Sequence, residues 1–595
     1  MPDSYHASSF YLLTVPRWML TAVIVLIAAS TLWGQATAPD LAATKAYESG
    51  IAAIRAGDTA KAQSDFERAV KSSPGNAEMQ LALGQVLLQR GDLDGAIAHL
   101  RNAVRLKPNL AGGHLVLGQA LSAKGSLDEA AAQLQQAVKL APTDAEPRRA
   151  LARVFSLQQK KTEAISEMRA AVVVAPQRPD LHDELGSLLA QNNQVADAER
   201  QFRIALQFDP EYEPGRFHLG VALLSAGDLE AAVSELTQAT ELNPKDALAF
   251  YYLGTALEAR GGSAAAISAY QKSVALNPNS KDAQKHLGLL LQHNGDLAGA
   301  STAYAKVVEL DPNDPDAHNN LGITLMATGK GNEALKEFQD AIKLRPEDSG
   351  FRGNLGITYM QLSDFDAAVE QLQQAIKLTP DNASLHYDLA LALKLKDNLA
   401  GSMTEMKKAI DLDPKLVDAY YTLGVTLWQQ GEFAAAAEQL RKAVQLKPDY
   451  SEAYYTLGSV LKQLNQLPEA AQALREAIHL QPQFTGAHTN LAAVLRQMGD
   501  TAGADAESQI ASNLVKQKNN LQGATFSTNS GKHMLDVGDL DGAISQFRNA
   551  IRLSPSYAPA HYQLAVALSR KGDKAEAAEE FRKAAELDPK LKPGQ

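Results

Sequence analysis

The chain has 595 residues, 45% of them apolar and 21% charged, which excludes a disordered or collagen-like polymer and points to several domains or one repeating architecture. Lys plus Arg number 57 against 68 Asp plus Glu, a net charge of −11 and the wrong sign for a nucleic-acid binder. There is no cysteine, so disulfide scaffolds, thiolate metal sites and cysteine nucleophiles are excluded; with aromatics at 6%, small apolar residues favour closely packed helices over β-sandwiches.

Residues 1–40 stand apart. Arg17 precedes a run from Trp18 to Trp33, and no charge occurs from Trp18 to Pro39. Small residues at Gly34-Gln35-Ala36 fit the cleavage site of a secretory signal. The other reading is a retained membrane anchor, a tether through residues 18–38 with Trp18 and Trp33 at the interfaces. Sixteen helical residues span about 24 Å, short of a hydrocarbon core of about 30 Å unless the neutral stretch to Ala38 is included. Both readings place the rest of the chain outside the cytoplasm, as a periplasmic, secreted or membrane-tethered protein, because Arg17 stays inside.

From residue 43 the chain is periodic. Thirteen prolines from Pro74 to Pro482 are each 34 residues apart; Lys516 breaks the series, and Pro555 and Pro589 resume it with a five-residue offset. The repeats start at residue 43 and every 34 residues to 485, then at 524 and 558, sixteen in all. Position 8 of the repeat is always Gly or Ala, position 7 is Leu except at Ser49 and Ser530, and position 20 is Ala except at Ser402. Position 24 is a large apolar residue except at Ser508, and position 15 is often Gly. Positions 4, 7, 8 and 11 define the buried face of one helix, and positions 20, 24 and 27 that of a second. Small residues at positions 8 and 20 let the two backbones approach. Gly at position 15 serves the turn, and proline at position 32 ends the second helix. Each αα-hairpin is too small to bury a core by itself, so neighbours must stack.

These columns resemble the tetratricopeptide repeat family, over residues 43–518 (repeats 1–14) and 524–591 (repeats 15 and 16). The resemblance implies an all-α fold, a right-handed α-solenoid whose first helices line a concave groove. One departure is position 4, often His or Arg here where the family favours an aromatic. Repeat 14 is degenerate, and residues 519–523 (Asn519-Asn-Leu-Gln-Gly523) read as an insertion and a candidate hinge before the last two repeats; the other reading is a continuous solenoid with one local kink.

No constellation for catalysis, cofactor or metal stands out. His114, His182, His318, His386, His488 and His561 all occupy position 4. Adjacent repeats are displaced by a helix spacing of about 8–10 Å, too far for a shared zinc with bonds of about 2 Å. These histidines read as aromatic-like filler between helices. His286 and His293 share a helix but stand seven residues apart. Phosphate loops of the P-loop type, Gly-x-Ser-x-Gly elbows and His-Glu-x-x-His are absent from the sequence.

The informative surface is the stripe at positions 5, 9 and 12, beside the buried face of the first helix. In repeats 9 to 13 it reads Asn319-Ile323-Met326, Gly353-Ile357-Met360, Tyr387-Leu391-Lys394, Tyr421-Val425-Trp428 and Tyr455-Ser459-Lys462. Aromatic and methionine side chains beside lysines suit a peptide segment; the tyrosines also suit packing between helices. Position 6 adds Asn320, Asn354, Asp388, Asn490 and Asn529, with Thr422 and Thr456 interrupting. This is similar to the asparagine-bearing array of the O-GlcNAc transferases, without their catalytic domain. The two-carboxylate clamp of some chaperone-binding relatives is not matched, since Lys285 at position 5 is followed by Leu289 at position 9. The expected function is a non-enzymatic scaffold that binds peptide segments of partner proteins in the groove. The alternative is an accessory subunit presenting substrates to a separate glycosyl- or peptidyl-transferring enzyme.

Overall fold

The structure, a computed structural model, describes residues 38–591. The expected signal or anchor lies outside the described residues, apart from the first residues of the opening helix, Ala38–Arg55. Among the described residues, no helix is long and apolar enough to cross a membrane. Those residues form thirty-one helices and no strand, an all-α solenoid of consecutive helix pairs. The chain divides into two compact units, Met1–Pro312 and Asn313–Gln595, at the end of repeat 8. Within each unit every helix packs against the next in sequence, and several neighbouring first helices also touch.

The repeat columns have distinct physical jobs. Position 15 has positive φ in all sixteen repeats: eleven glycines, and Gln159, Asn193, Ser363, Asp397 and Asn465. The turn between the paired helices therefore demands the left-handed conformation whatever residue stands there. The next residue often caps the second helix. Asp92, Asp228, Asp296, Asp364, Asp500 and Asp539 each accept a hydrogen bond from the backbone N–H three residues on.

Position 8 is small because position 24 lies on it. A Cβ on Gly186 would meet Phe202 Cε1 at 2.5 Å, on Gly254 it would meet Tyr270 Cε1 at 2.7 Å, and on Gly322 it would meet Phe338 Cε1 at 2.7 Å. In three of the four repeats with Ala at position 8, position 24 changes with it; the last repeat keeps Phe581 opposite Ala565. Ala152 faces Met168 and Ala390 faces Met406, a flexible side chain in place of a branched or planar one, and Ala492 faces Ser508.

Histidine at position 4 is a latch, not the aromatic-like filler expected. His114, His182, His386, His488 and His561 each place Nε2 2.8–3.0 Å from the carbonyl oxygen of the proline that ends the preceding repeat. Nδ1 faces position 23 of the same repeat: Gln133, Gln201, Glu405, Glu507 and Glu580, at 2.5–2.8 Å. Arg216 does the same with Pro210 and Glu235. A proline at position 32 ends its helix and leaves a carbonyl without an intrahelical donor; a polar position 4 supplies one and ties adjacent repeats together.

Residues 519–523, read as an insertion and candidate hinge, lie inside a helix. One 36-residue helix, Thr501–Asp536, runs through them and fuses the second helix of repeat 14 to the first of repeat 15. Lys516 stands where the other repeats have proline, and no proline or glycine occurs from Ala504 to Gln522, so nothing interrupts the ladder. The helix packs on Thr485–Gln497 towards its start and on Leu540–Leu553 towards its end. Repeat 15 consequently has no preceding helix pair laid across its front. Phe526 at position 3 is 76% exposed, whereas Phe351 at position 3 of repeat 10 is 5% exposed.

Candidate functional site

The first-helix face of each unit carries a ladder that links repeats. Position 5 of one repeat meets position 6 of the next. In the first unit, Arg149 Nε donates to Glu184 at 2.9 Å, and His218 Nδ1 lies 2.7 Å from Asp183 Oδ1. Further along, Phe217 meets Tyr252 edge-on at 5.7 Å, and Tyr251 meets His286 at 6.1 Å. In the second unit, Asn354 Nδ2 donates to Asn319 Oδ1 at 2.9 Å, and the Tyr387 hydroxyl lies 3.3 Å from Thr422 Oγ1. A 34-residue repeat whose helices stack in register brings these two positions side by side each time.

The ladder decides what is left over. Asn320 accepts from Asn319 at 3.4 Å, so the asparagines expected to hold a peptide backbone, Asn320 and Asn354, are engaged with a neighbour. Met326 Sδ accepts from Thr358 Oγ1 at 3.3 Å. The Tyr421 ring lies 5.0 Å from Tyr450 and the Tyr455 ring 4.7 Å from Phe484, the last residues of their own repeats, so both tyrosines are engaged by the junction to the next repeat. Tyr387 has its phenol pushed up, chiefly by burial.

Four polar groups on this face have no partner among the described residues: the Trp428 indole N–H, the Lys394 and Lys462 ammonium groups, and the Asp388 carboxylate. All four residues are half-buried. Trp428 packs one side against the core of repeats 11–14. Burial pulls the Lys394 amine down and pushes the Asp388 carboxyl up to about 6. Met360 is half-buried beside them on the first helix of repeat 10. Repeats 11 to 13 thus combine apolar area with polar groups that have no protein partner and remain open to solvent. Asp388 was visible in the sequence as a position-6 residue. Its isolation was not, because that depends on what stands opposite in the preceding repeat.

Among the described residues, no group of three or more His, Asp or Glu could hold a metal ion. The histidines of position 4 are separate latches, one per repeat.

Comparison with known proteins agrees with the repeat columns. A family model described as Tetratricopeptide repeat matches residues 47–111, 184–236, 217–281, 421–484 and 529–591. Three more with that description match 87–154, 315–348 and 383–416, and one described as TPR repeat matches 293–329 and 356–397. None of the curated proteins matches. Among solved structures, the APC/C hetero-tetramer Cut9-Hcn1 aligns at 15% identity and TM-score 0.34, over 76% of this chain and 96% of that one. YrrB, described as a TPR protein with an unusual peptide-binding site, aligns at 24% identity and TM-score 0.28, over 30% of this chain and 92% of its own. Pseudomonas aeruginosa pilF aligns at 19% identity and TM-score 0.32, over 35% and 94%. At such TM-scores no partner is carried across. The repeat matches, set beside the helix pairs and their 34-residue columns, establish that this chain belongs to the tetratricopeptide repeat family of protein-interaction scaffolds.

Proposed function

We propose that the chain is a non-enzymatic scaffold whose groove, lined by first helices, binds segments of partner proteins over repeats 9 to 13. The observation that carries this reading is the set of unpaired polar groups around Trp428. At several other steps on the same face positions 5 and 6 pair with one another; in repeats 11 to 13 the Asp388 carboxylate at position 6 and the Lys394, Trp428 and Lys462 polar groups at position 12 make no such pair. A bound segment would cover Leu391, Val425 and the free side of Trp428 and pair with these groups.

The test is a crosslinked pull-down from the native host with the full chain and with Trp428→Ala/Lys462→Ala as baits. Neither residue is in the fully buried core, so circular dichroism of the variant should match the parent. Loss of a defined set of partners from the variant supports the groove. Equal recovery with both baits moves the binding surface elsewhere and sinks the assignment.

The proposal extends to location. The uncharged run from Trp18 to Pro39 behind Arg17 supports export, as a cleaved signal or as an anchor. Terminal sequencing of the mature protein separates these two, and an intact Met1 in a soluble cytosolic fraction would overturn both.

A further inference from the structure

The ladder that joins position 5 to position 6 has a missing rung. Position 5 of repeat 10 is Gly353, and position 6 of repeat 11 is Asp388. The neighbouring steps are filled, by Asn319 with Asn354 and by Tyr387 with Thr422. At Gly353 there is no side chain to meet Asp388. A Cβ there would lie 2.9 Å from Leu385 Cδ2, so Leu385 occupies the space where a rung would begin. Asp388 is left half-buried, with neither a hydrogen bond nor an ion pair among the described residues.

The surroundings give it no cation. On its own helix, Ser384, Leu385, Leu391 and Ala392 are the side chains three and four residues away. The hydroxyls of Tyr387 and Thr422 are bonded to each other. Asp418, at the start of the next first helix, carries the same sign and is exposed. Lys394 lies six residues further along the helix, about 9 Å along its axis, and is itself unpaired. Partial burial with no counter-charge disfavours a carboxylate, and the carboxyl of Asp388 is accordingly held towards its neutral form. Such a cost persists where a ligand relieves it.

We infer that Asp388 sets the specificity of the groove by receiving a lysine or arginine side chain from the bound segment, whose flanking apolar residues cover Leu391, Val425 and Trp428. This rests on the groove reading above. The cation supplies the missing rung and makes a charge-assisted hydrogen bond in a place where solvent screens it less than at an open surface. Lys394 and Lys462, both at position 12, form an edge of opposite sign nearer the C-terminal ends of the same helices. The basic residue of the segment is therefore directed to the Asp388 side.

A phage-displayed library of random twelve-residue peptides, panned on the full chain, tests this. Asp388→Asn, Asp388→Lys, Trp428→Ala and the control Asp411→Asn are panned in parallel. Asp411 is exposed on the second helix of repeat 11, so its variant removes the same charge away from the groove. Peptides selected by the parent and by Asp411→Asn should be enriched in Lys and Arg at one position. The enrichment should vanish with Asp388→Asn and turn to Glu and Asp with Asp388→Lys. For the best synthetic peptide, Lys→Ala at that position should weaken binding about tenfold to the parent and not to Asp388→Asn. The parent's preference should also fade between pH 8 and pH 5, while Asp388→Asn stays flat. This readout holds even if the lysine variant folds poorly.

Selected peptides without basic enrichment, or enrichment that survives Asp388→Asn, overturn the role of Asp388. If those peptides still need Trp428, the groove reading stands. No selected peptide, or equal selection by Trp428→Ala, overturns the groove reading and this inference with it.

Discussion

The contact between positions 8 and 24 makes a quantitative prediction at Gly322. In an isolated helix Gly→Ala is favourable by about 1 kcal/mol, because glycine has more backbone freedom to lose. Here a Cβ would lie 2.7, 2.8 and 2.9 Å from three ring atoms of Phe338, and that ring is fully buried. No exposed end can swing away, so the ring or the backbone must shift, at a cost of about 2–3 kcal/mol. Gly322→Ala should therefore destabilise repeat 9 by about 1–2 kcal/mol net. Repeats 4 and 11 contain the remedy, since both pair Ala at position 8 with Met at position 24. Phe338→Met should cost about 1 kcal/mol by itself as a near-isosteric swap. With Gly322→Ala it removes the clash, so the double variant should return close to the parent, a coupling of about 2 kcal/mol. A long repeat array does not unfold in two states, so the assay should be local. Amide exchange followed by mass spectrometry over Pro315–Leu344 reads the opening free energy of that helix pair. Increased protection in Gly322→Ala, or simple additivity in the double variant, would refute the steric account.

Two further outcomes are expected. Ser363 holds φ at 64° in the turn of repeat 10, where most repeats have glycine, so Ser363→Gly should stabilise that repeat by about 1 kcal/mol, read as slower exchange across Phe365–Leu378. Burial, then the nearby charges of Asp246 and Asp183 set against His218, raises the Glu213 carboxyl from 4.5 to about 7. A carboxyl whose folded value is raised binds more protons when folded, so its contribution is present below 4.5 and is lost as pH rises through about 7. Glu213→Gln should remove that loss; thermal melts at pH 5 and pH 8 should converge in the variant more than in the parent, and an unchanged difference would refute the assignment.

The fold was legible because each repeat restates the same packing problem. Gly or Ala at position 8, Ala at position 20 and proline at position 32 are constraints of backbone approach and helix termination, and these depend on composition within one repeat. The function of position 4 was not legible. Histidine there was read within its own repeat, where it resembles an aromatic filler. Its hydrogen-bond acceptor is a carbonyl of the preceding repeat, freed by that repeat's proline. The groove residues divide in the same way. Their placement on one helix face follows from helical spacing, so the stripe that holds Trp428, Lys394 and Lys462 can be drawn from the sequence. Whether a polar group is free depends on the residue one repeat away, so the pairing of Asn354 with Asn319 and the isolation of Asp388 opposite Gly353 needed the register of the stack.

The same distinction explains how the array ends and restarts. Position 7 is leucine wherever a preceding helix pair of the same unit covers it, as at Leu355, Leu389 and Leu564, all buried. It is serine in two repeats. Ser49 belongs to the first repeat, where its hydroxyl is turned to Asp65 in its own hairpin at 2.6 Å. Ser530 belongs to repeat 15, whose front is uncovered, as Phe526 and Val537 at 76% and 68% exposure show. Repeat 14 is altered to match: its second helix has Ser508 and Ser512 where other repeats place large apolar residues. A stack needs a solvated front and a solvated back, and this chain writes a back at repeat 14 and a front at repeat 15. Replacing the helix-ending proline with Lys516 then joins them through one helix of 36 residues, about 54 Å long, instead of a loop. Repeats 15 and 16 therefore begin a second stack whose distance from repeat 14 is set by helix geometry.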